Sequence, residues 1–399
     1  MTQPARTSSY ATVQGNIHRP GDTAYDTQRA TLNPAFNATP AIIVEAINTA
    51  DVQAAVTWAR NNDLPIAIQS TGHGTHVPSD GGLLLKTSAI KSVLVDPDRR
   101  IARIGAGAVW ADVLKAAAPF GLAPVSGSHA SVGVAGFTMG GGLGAMSRKY
   151  GFGADNLLRA DLVTADGEAV TATHDHNPDL FWALRGGGGN FGVVTSMEVR
   201  LHPVDEVYAG QALFPSEQAA DILARFRAYA PIMPEELTCT IALTAEHVAV
   251  RATYLGDAHA ARKALKPLGV ADAFSEQPVP GTAPRHFELF NELPDIDTIL
   301  KVAAESAAVE IRYWGGAMTR GEGPAGHRNV PFSIIVDGPD EAAERLWPHA
   351  TGGSFLNFLH DPSAVETAYS AADYQLLREI KASYDPANVF HRNLNIKPA

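Results

Sequence analysis

The sequence predicts an α+β protein built in two parts. An N-terminal block over residues 1–204 mixes short strands with helices, and a block over 205–365 is an antiparallel sheet covered by helices, followed by a closing segment, 366–399. Three observations predict this. From about residue 40, short β-rich runs alternate with amphipathic stretches. Beyond 205, the apolar runs alternate with period two, the mark of strands with one covered face. Three glycine-dense segments, all in the first block, separate its elements.

Taken in order, AIIVEAI reads as a strand, Asp51 is placed to cap the helix VQAAVTWARNN, and LPIAIQS is the next strand. KSVLVDPDRRIARIGAG gives two apolar runs around Asp96, Pro97 and Asp98, a hairpin that leads into the helix AVWADVLKAAAPF. DLVTADGEAVTAT turns at Asp166 and Gly167, and NPDLFWALR is a short helix entered through Asn177 and Pro178. GVVTSMEVRLHPV closes the block as a strand. In the second block YAGQALF, ELTCTIALT, HVAVRATYL and PFSIIVD read as strands, and EQAADILARFRAYA and AHAARKALKPL as helices. Residues 277–323 are rich in Pro and Gly and give no clear element, whereas AVETAYSAADYQLLREIKASY reads as one long amphipathic helix.

A length of 399 residues favours two domains or one large unit, and 45% hydrophobic with 18% charged residues is a globular composition. The net charge of −11 argues against a nucleic-acid partner, which would need clustered Lys and Arg. The single cysteine, Cys239, excludes an intramolecular disulfide and reads as a buried small residue. MTQPARTSSYATVQGN has no apolar core of a signal peptide, and no run of eighteen apolar residues occurs, so a cytoplasmic protein without a membrane span is expected, as monomer or homodimer.

The glycine segments are GAG at 105–107, GVAGFTMGGGLG at 133–144 and RGGGGNFG at 185–192. Glycine runs mark close backbone approach or positive φ, and three in one block favour a large, extended ligand. The first fails as a dinucleotide fingerprint, because Trp110 stands at its third glycine position and no acidic residue follows about 20 positions on. The second offers a series of backbone N–H groups that suits a pyrophosphate, with a tight crossing of packed backbones as the alternative. In QSTGHGTH, His73 and His76 could be metal ligands or turn residues, but no further His, Cys or carboxylate sits at ligand spacing.

TGHGTH, SVGVAGFTMGGGLG, NPDLFWALRGGGGNFGVVTSMEVRLHPV and YDPANVFHRNLNI, in this order and spacing, resemble the FAD-linked oxidase family, in its berberine-bridge-enzyme-like branch. The resemblance covers residues 40–204 and the last thirty or so, with 205–350 matching only in element pattern. It implies a two-part PCMH-type FAD-binding domain, a substrate domain, and a C-terminal segment that returns to the first. It also implies FAD bonded through its 8α-methyl to His73 alone, because His129 stands where many relatives carry a second, cysteinyl tether.

By the same resemblance Gln69, Ser70, Thr71, Gly72, Gly74 and Thr75 wrap the pyrophosphate. Ser126, Val132, Gly133, Gly136, Gly140, Gly141 and Gly144 line the ribityl and ring side, with His129 nearby. Gly192, Val194, Asn393 and Asn395 complete the contacts. A side chain as small as Val132 leaves room for O2. Phe137 and Phe355 replace polar residues, which implies a more apolar pocket. Tyr374 is the first candidate for the base that takes the substrate proton, ahead of His360, Tyr313, Arg312 and Asn357. The expected activity is hydride transfer from a CH–OH or CH–NH carbon of a small, largely apolar metabolite, with O2 giving H2O2. An oxygenating flavoenzyme and a flavin- or metal-holding protein without turnover are the alternatives.

Overall fold

The computed structural model describes residues 12–32, 36–276 and 285–399. Part of the stretch without clear sequence signals, 277–284, lies outside the described residues. Three larger sheets organise the chain.

The first contains β1 (Asn16–His18), β2 (Ile42–Glu45), β3 (Ile66–Gln69) and β4 (Leu83–Lys86), with α1 (Tyr25–Arg29) and α2 (Thr49–Asn61). Its order is β1-β2-β4-β3, and β2, β4 and β3 run parallel, with α2 as crossover between β2 and β3. Val52 and Val56 of α2 bury against Ile42, Val44, Leu83 and Leu85. The cap of α2 corrects the sequence reading. Asn48 is the N-cap, its Oδ1 accepting from the Asp51 amide at 2.8 Å. Asp51 is buried one turn in, where its carboxylate accepts from the amides of Gln14, Gly15 and Ile47 and ties the N-terminal strand down.

The second sheet is antiparallel, of order β5-β6-β10-β8-β9, with β5 (Val93–Asp96), β6 (Ile101–Gly105), β8 (Leu157–Val163), β9 (Ala169–Ala172) and β10 (Val193–Arg200). Both hairpins expected from turn residues are present. Around this sheet lie α3 (Trp110–Ala117), the short α4 (Val134–Met139) and α5 (Ser147–Tyr150), α6 (Pro178–Leu184), and a small pair of β7 (Leu122–Ala123) with β11 (His202–Pro203).

The third sheet has seven antiparallel strands in the order β15-β12-β14-β13-β17-β18-β16. These are β12 (Val207–Pro215), β13 (Leu237–Leu243), β14 (His247–Leu255), β15 (Ser275–Glu276), β16 (His286–Phe290), β17 (Ala308–Tyr313) and β18 (Phe332–Asp337). β16, β17 and the helix between them come from the stretch that carries no clear sequence signal. One face, with Ile241, Ile311 and Ile334, is covered by α7 (Ala219–Tyr229), α8 (Ala258–Leu265), α9 (Ile296–Glu305) and α10 (Asp340–Ala343). By the alternation of a strand, Thr240, Arg312 and Ser333 point from the opposite face.

The chain is already back in the core of the second sheet at Leu356, Leu359 and Val365. The long C-terminal helix is shorter than expected. α11 runs over Ala371–Tyr384 with Ser370 as N-cap, and a separate 3-10 stretch, Pro362–Ala368, precedes it. The final segment is held by a buried ion pair. Lys381 Nζ meets Asp385 Oδ2 at 2.6 Å and donates to the Asn190 carbonyl at 2.6 Å, while Asp385 accepts from the amides of Val389 and Phe390. Both side chains are fully buried. Among the described residues no helix is long and apolar enough to cross a membrane.

Candidate active site

A cavity of about 1290 Å³ separates the glycine-rich side of the first two sheets from the uncovered face of the third. That exceeds the roughly 300–1,000 Å³ usual for one drug-sized ligand, so an extended ligand and a second molecule both have room.

The first wall is backbone. β3 ends at Gln69, at the carboxyl end of the parallel strands where open α/β sheets put their ligands, and the loop Ser70–His76 lines the cavity. Gln69 turns its side chain away, donating to the Ala30 carbonyl at 3.3 Å. His73 is exposed to the cavity. Its Nδ1 lies 3.0 Å from Thr71 Oγ1 and its Nε2 3.4 Å from Ser131 Oγ. Burial, with His129 adding to it, holds the His73 imidazole below its ordinary pKa and so neutral at pH 7.

The glycines of 133–144 divide into two groups. A Cβ on Gly136 would meet open space, as would one on Gly74 in the preceding loop. Gly140 and Gly144 also line the cavity, but a Cβ there would strike Asn357 and the Ser126 carbonyl. Gly141 lies outside the lining, with φ +115° and the Phe355 ring where a Cβ would go. The ligand and the packing readings of this segment therefore each hold for different glycines. Residues 150–156 hold it from behind. Gly153 and Ala154 donate to the carbonyls of Gly142 and Gly141, Asn156 Nδ2 to those of Tyr150 and Phe152, and His202 Nε2 lies 2.7 Å from Asn156 Oδ1.

The second wall is side chain. Gln211, Arg251, Thr240, Arg312 and Ser333 stand opposite one another across five strands, and Glu310 precedes Arg312 by two on the same face. The Glu310 carboxylate, 4% exposed, meets Arg312 Nε at 2.5 Å and Arg251 Nη1 at 3.3 Å. Arg148, 2% exposed, joins the walls, donating from the first to the carbonyls of Leu237, Trp314, Met233 and Pro234.

Of the residues expected to hold a cofactor, Gln69 to Thr75, Ser126, His129, Val132, Gly133, Gly136, Gly140, Gly144, Gly192, Val194 and Asn393 line the cavity. Asn395 lies behind it, as Gly141 does. Tyr374, put forward by the resemblance, is a correction: it sits in the first turn of α11 with its ring on Tyr369 at 6.0 Å, outside the lining. Asn357, His360, Tyr313 and Arg312 do reach the cavity. Asn357 is committed to the backbone, accepting from Gly142 N at 2.7 Å and donating to Phe137 O at 3.3 Å. Phe137 lines the cavity, whereas Phe355 is fully buried against Phe152 and Trp314 and does not shape it. Sequence reasoning misses the role of Glu310 and Arg251, and the stacking of His76 on His360, ring centroids 5.1 Å apart. A charged residue alternating into an apolar strand, as in AVEIRY, is the signal that could have found the first two.

A bare-backbone cleft facing a charged sheet defines a cofactor enzyme of two parts. Of the lining residues, Ser70 Oγ and Asn393 Oδ1 are buried without a hydrogen-bond partner among the described residues. Orphaned polar atoms beside bare glycines fit a ligand rich in hydrogen-bonding groups, as FAD is. Residues 40–173 match the family described as FAD binding domain, and 354–397 that described as berberine and berberine like. An FAD-linked oxidoreductase of Dictyostelium discoideum is 29% identical over 97% of this chain and 95% of its own length. (R)-6-hydroxynicotine oxidase of Paenarthrobacter nicotinovorans is 39% identical over 48% of this chain and 42% of its own. The crystal structure of 6-hydroxy-D-nicotine oxidase from Arthrobacter nicotinovorans superposes with a TM-score of 0.85 at 26% identity, covering 97% of this chain and 98% of that one. The chain is an FAD-linked oxidoreductase with FAD as its cofactor, and it is similar to the berberine-bridge-enzyme-like oxidases in these regions and in fold.

Proposed function

We propose that the chain is an oxidase, with FAD held covalently through His73 alone, that takes hydride from a CH–OH or CH–NH carbon of a small, largely apolar molecule and passes the electrons to O2 as H2O2. The observation that carries this reading is the His73 ring, neutral and open to the cavity between glycines, where an imidazole nitrogen is a competent nucleophile. Cys239, the one cysteine, is buried in β13 with its thiol pushed up to about 12, which withholds the thiolate a second tether would need.

Bound FAD supplies the hydride acceptor and the site of O2 reduction. The chain's own residues hold it, keep water out and move the substrate proton. Ser70, Asn393 and the open backbone at Gly74 and Gly136 would hold the cofactor, and Val132 lines the cavity with a side chain small enough to admit O2. With Tyr374 outside the lining and Asn357 committed to the backbone, His360 is the base this reading favours. Burial lowers the pKa of both His360 and His76, with His286 adding to it at the first and His360 at the second. A neutral imidazole at pH 7 can take the proton as hydride leaves. Because the pKa is lowered, the base is present at neutral pH and is lost as pH falls through that lowered value.

The test has two parts. Denatured protein run on a gel should keep yellow flavin fluorescence in the wild type and lose it in His73→Ala; a wild type that loses it overturns the covalent bond. A substrate found by anaerobic flavin bleaching should release peroxide on admission of air. Labelled oxygen appearing in the product instead would make the chain an oxygenating enzyme.

A further inference from the structure

The protein carries a net charge of −11, yet the charged residues lining its cavity are Arg148, Arg251, Arg312, Arg392 and a single carboxylate, Glu310, among the described residues. Two of these arginines belong to the first wall, where Arg392 keeps its Nε without a partner among the described residues. Arg148 spends its guanidinium on four carbonyls, and Arg392 reaches the Asp80 carbonyl beside the first wall. The other two both meet Glu310, and the formal charge of the lining is positive in excess. The uncovered face of the third sheet therefore holds a surplus positive charge in a partly desolvated place. A partly desolvated positive charge favours an anionic partner.

The geometry says where the surplus sits. Arg312 uses its Nε on Glu310 Oε1 and lays its guanidinium over the Phe358 ring, 5.5 Å from Cζ to centroid. Its two Nη groups, the arms of the fork that grips a carboxylate, make no hydrogen bond among the described residues. Arg251 approaches Glu310 from the neighbouring side through Nη1. Glu310 thus fixes the fork by its back edge and leaves the front toward the cavity. The apolar Leu143, Met146, Met318 and Trp314 line the same cavity, together with Thr238, Thr240 and Thr253 from the strands.

We infer that Arg312, supported by Glu310 and Arg251, is a specificity-determining residue that binds a carboxylate on the substrate, so that the substrate class is an acid with an apolar body. This rests on the reading that substrate occupies the third-sheet side of the cavity.

The test uses the holoenzyme and two probes matched in shape, biphenyl-4-carboxylate and biphenyl-4-carboxamide, titrated against the visible flavin spectrum without turnover. The carboxylate should bind about tenfold or more tighter than the amide, which corresponds to the difference between charged and neutral partners at an arginine. Arg312→Gln should remove that preference, weakening the carboxylate more than the amide. Glu310→Gln should act in the opposite direction and tighten the carboxylate, a sign that a merely structural role for the cluster would not give. Equal binding of the two probes by wild type overturns the inference, as does an Arg312→Gln protein that keeps its preference. Should either variant fail to load flavin, the wild-type preference between probes still decides. Peroxide release is not read in this assay, so an absence of oxidase activity and an absence of carboxylate selectivity remain separate outcomes.

Discussion

The two walls of the cavity work by opposite means. The wall from the first two sheets presents backbone and short side chains, and the wall from the third presents Arg312, Glu310 and Arg251 on long stems. A bare backbone has no side chain with which to adjust, so its shape must be imposed from behind by buried polar groups. The side-chain wall needs only a regular sheet beneath it, since the strands place Gln211, Arg251, Thr240, Arg312 and Ser333 in one row. The difference teaches where each wall is vulnerable: the first through residues that never touch the ligand, the second through the residues that do.

The largest expected effect therefore comes from breaking the support behind the first wall. Lys381→Met leaves Asp385 charged and buried, frees the Asn190 and Phe390 carbonyls, and releases the segment that carries Asn393. Removing one partner of a buried ion pair typically costs about 3–5 kcal/mol. Urea unfolding should show a loss of that size together with reduced flavin content. A loss below about 1 kcal/mol, the range of exposed pairs, would mean the wall does not depend on this support.

A second support is sensitive to pH. His202 is buried, its ring stacked on Tyr150 at 3.7 Å and its Nε2 held by Asn156 Oδ1, with burial lowering its pKa to about 4. In the unfolded chain the same group titrates near about 6.5. The unfolded state thus binds more protons below that value, and stability falls as pH drops from about 6.5 to about 4, by up to about 3 kcal/mol from this group. Unfolding midpoints of wild type and His202→Gln, compared at pH 7.5 and pH 5, should converge at the lower pH. Parallel midpoints would remove His202 from the pH response.

The same contrast explains what the sequence discloses. A backbone wall is written in local composition, because glycine is the residue that permits it, so TGHGTH and the 133–144 segment locate most of the first wall from the sequence alone. Gly141 and Gly144 show the limit, since composition does not distinguish a glycine facing a ligand from one facing Phe355 or Ser126. The side-chain wall is written in long-range strand register. Thr240 and Arg312 meet only because β13 pairs with β17 across about seventy residues, and β17 lies in a stretch whose Pro and Gly content hides its period. The start of α11 is misplaced by the sequence for a related reason. A helical period read through Ser370 passes over the N-cap that separates α11 from the 3-10 stretch before it.

The smallest effect on folding, and the sharpest on the comparison, is expected at Gly136. It sits inside α4 with nothing within 4 Å of the place a Cβ would take, and its φ is not in the left-handed region. Replacement of a helical glycine should leave stability unchanged or raise it by about 0.5–1 kcal/mol, since a side chain restricts the unfolded chain more than the folded one. Yet the space a leucine would fill is the cavity itself. Gly136→Leu should therefore fold with a wild-type or higher unfolding midpoint in the flavin-free protein while taking up less than about a tenth of the flavin, a change of about 1.4 kcal/mol or more in the non-covalent binding that precedes the bond. Gly144→Leu should behave in reverse, failing at the folding step because the Ser126 carbonyl occupies the place of its Cβ. Full flavin loading by Gly136→Leu would mean that the open space beside α4 belongs to solvent, and that the first wall meets its ligand only through the loop carrying His73.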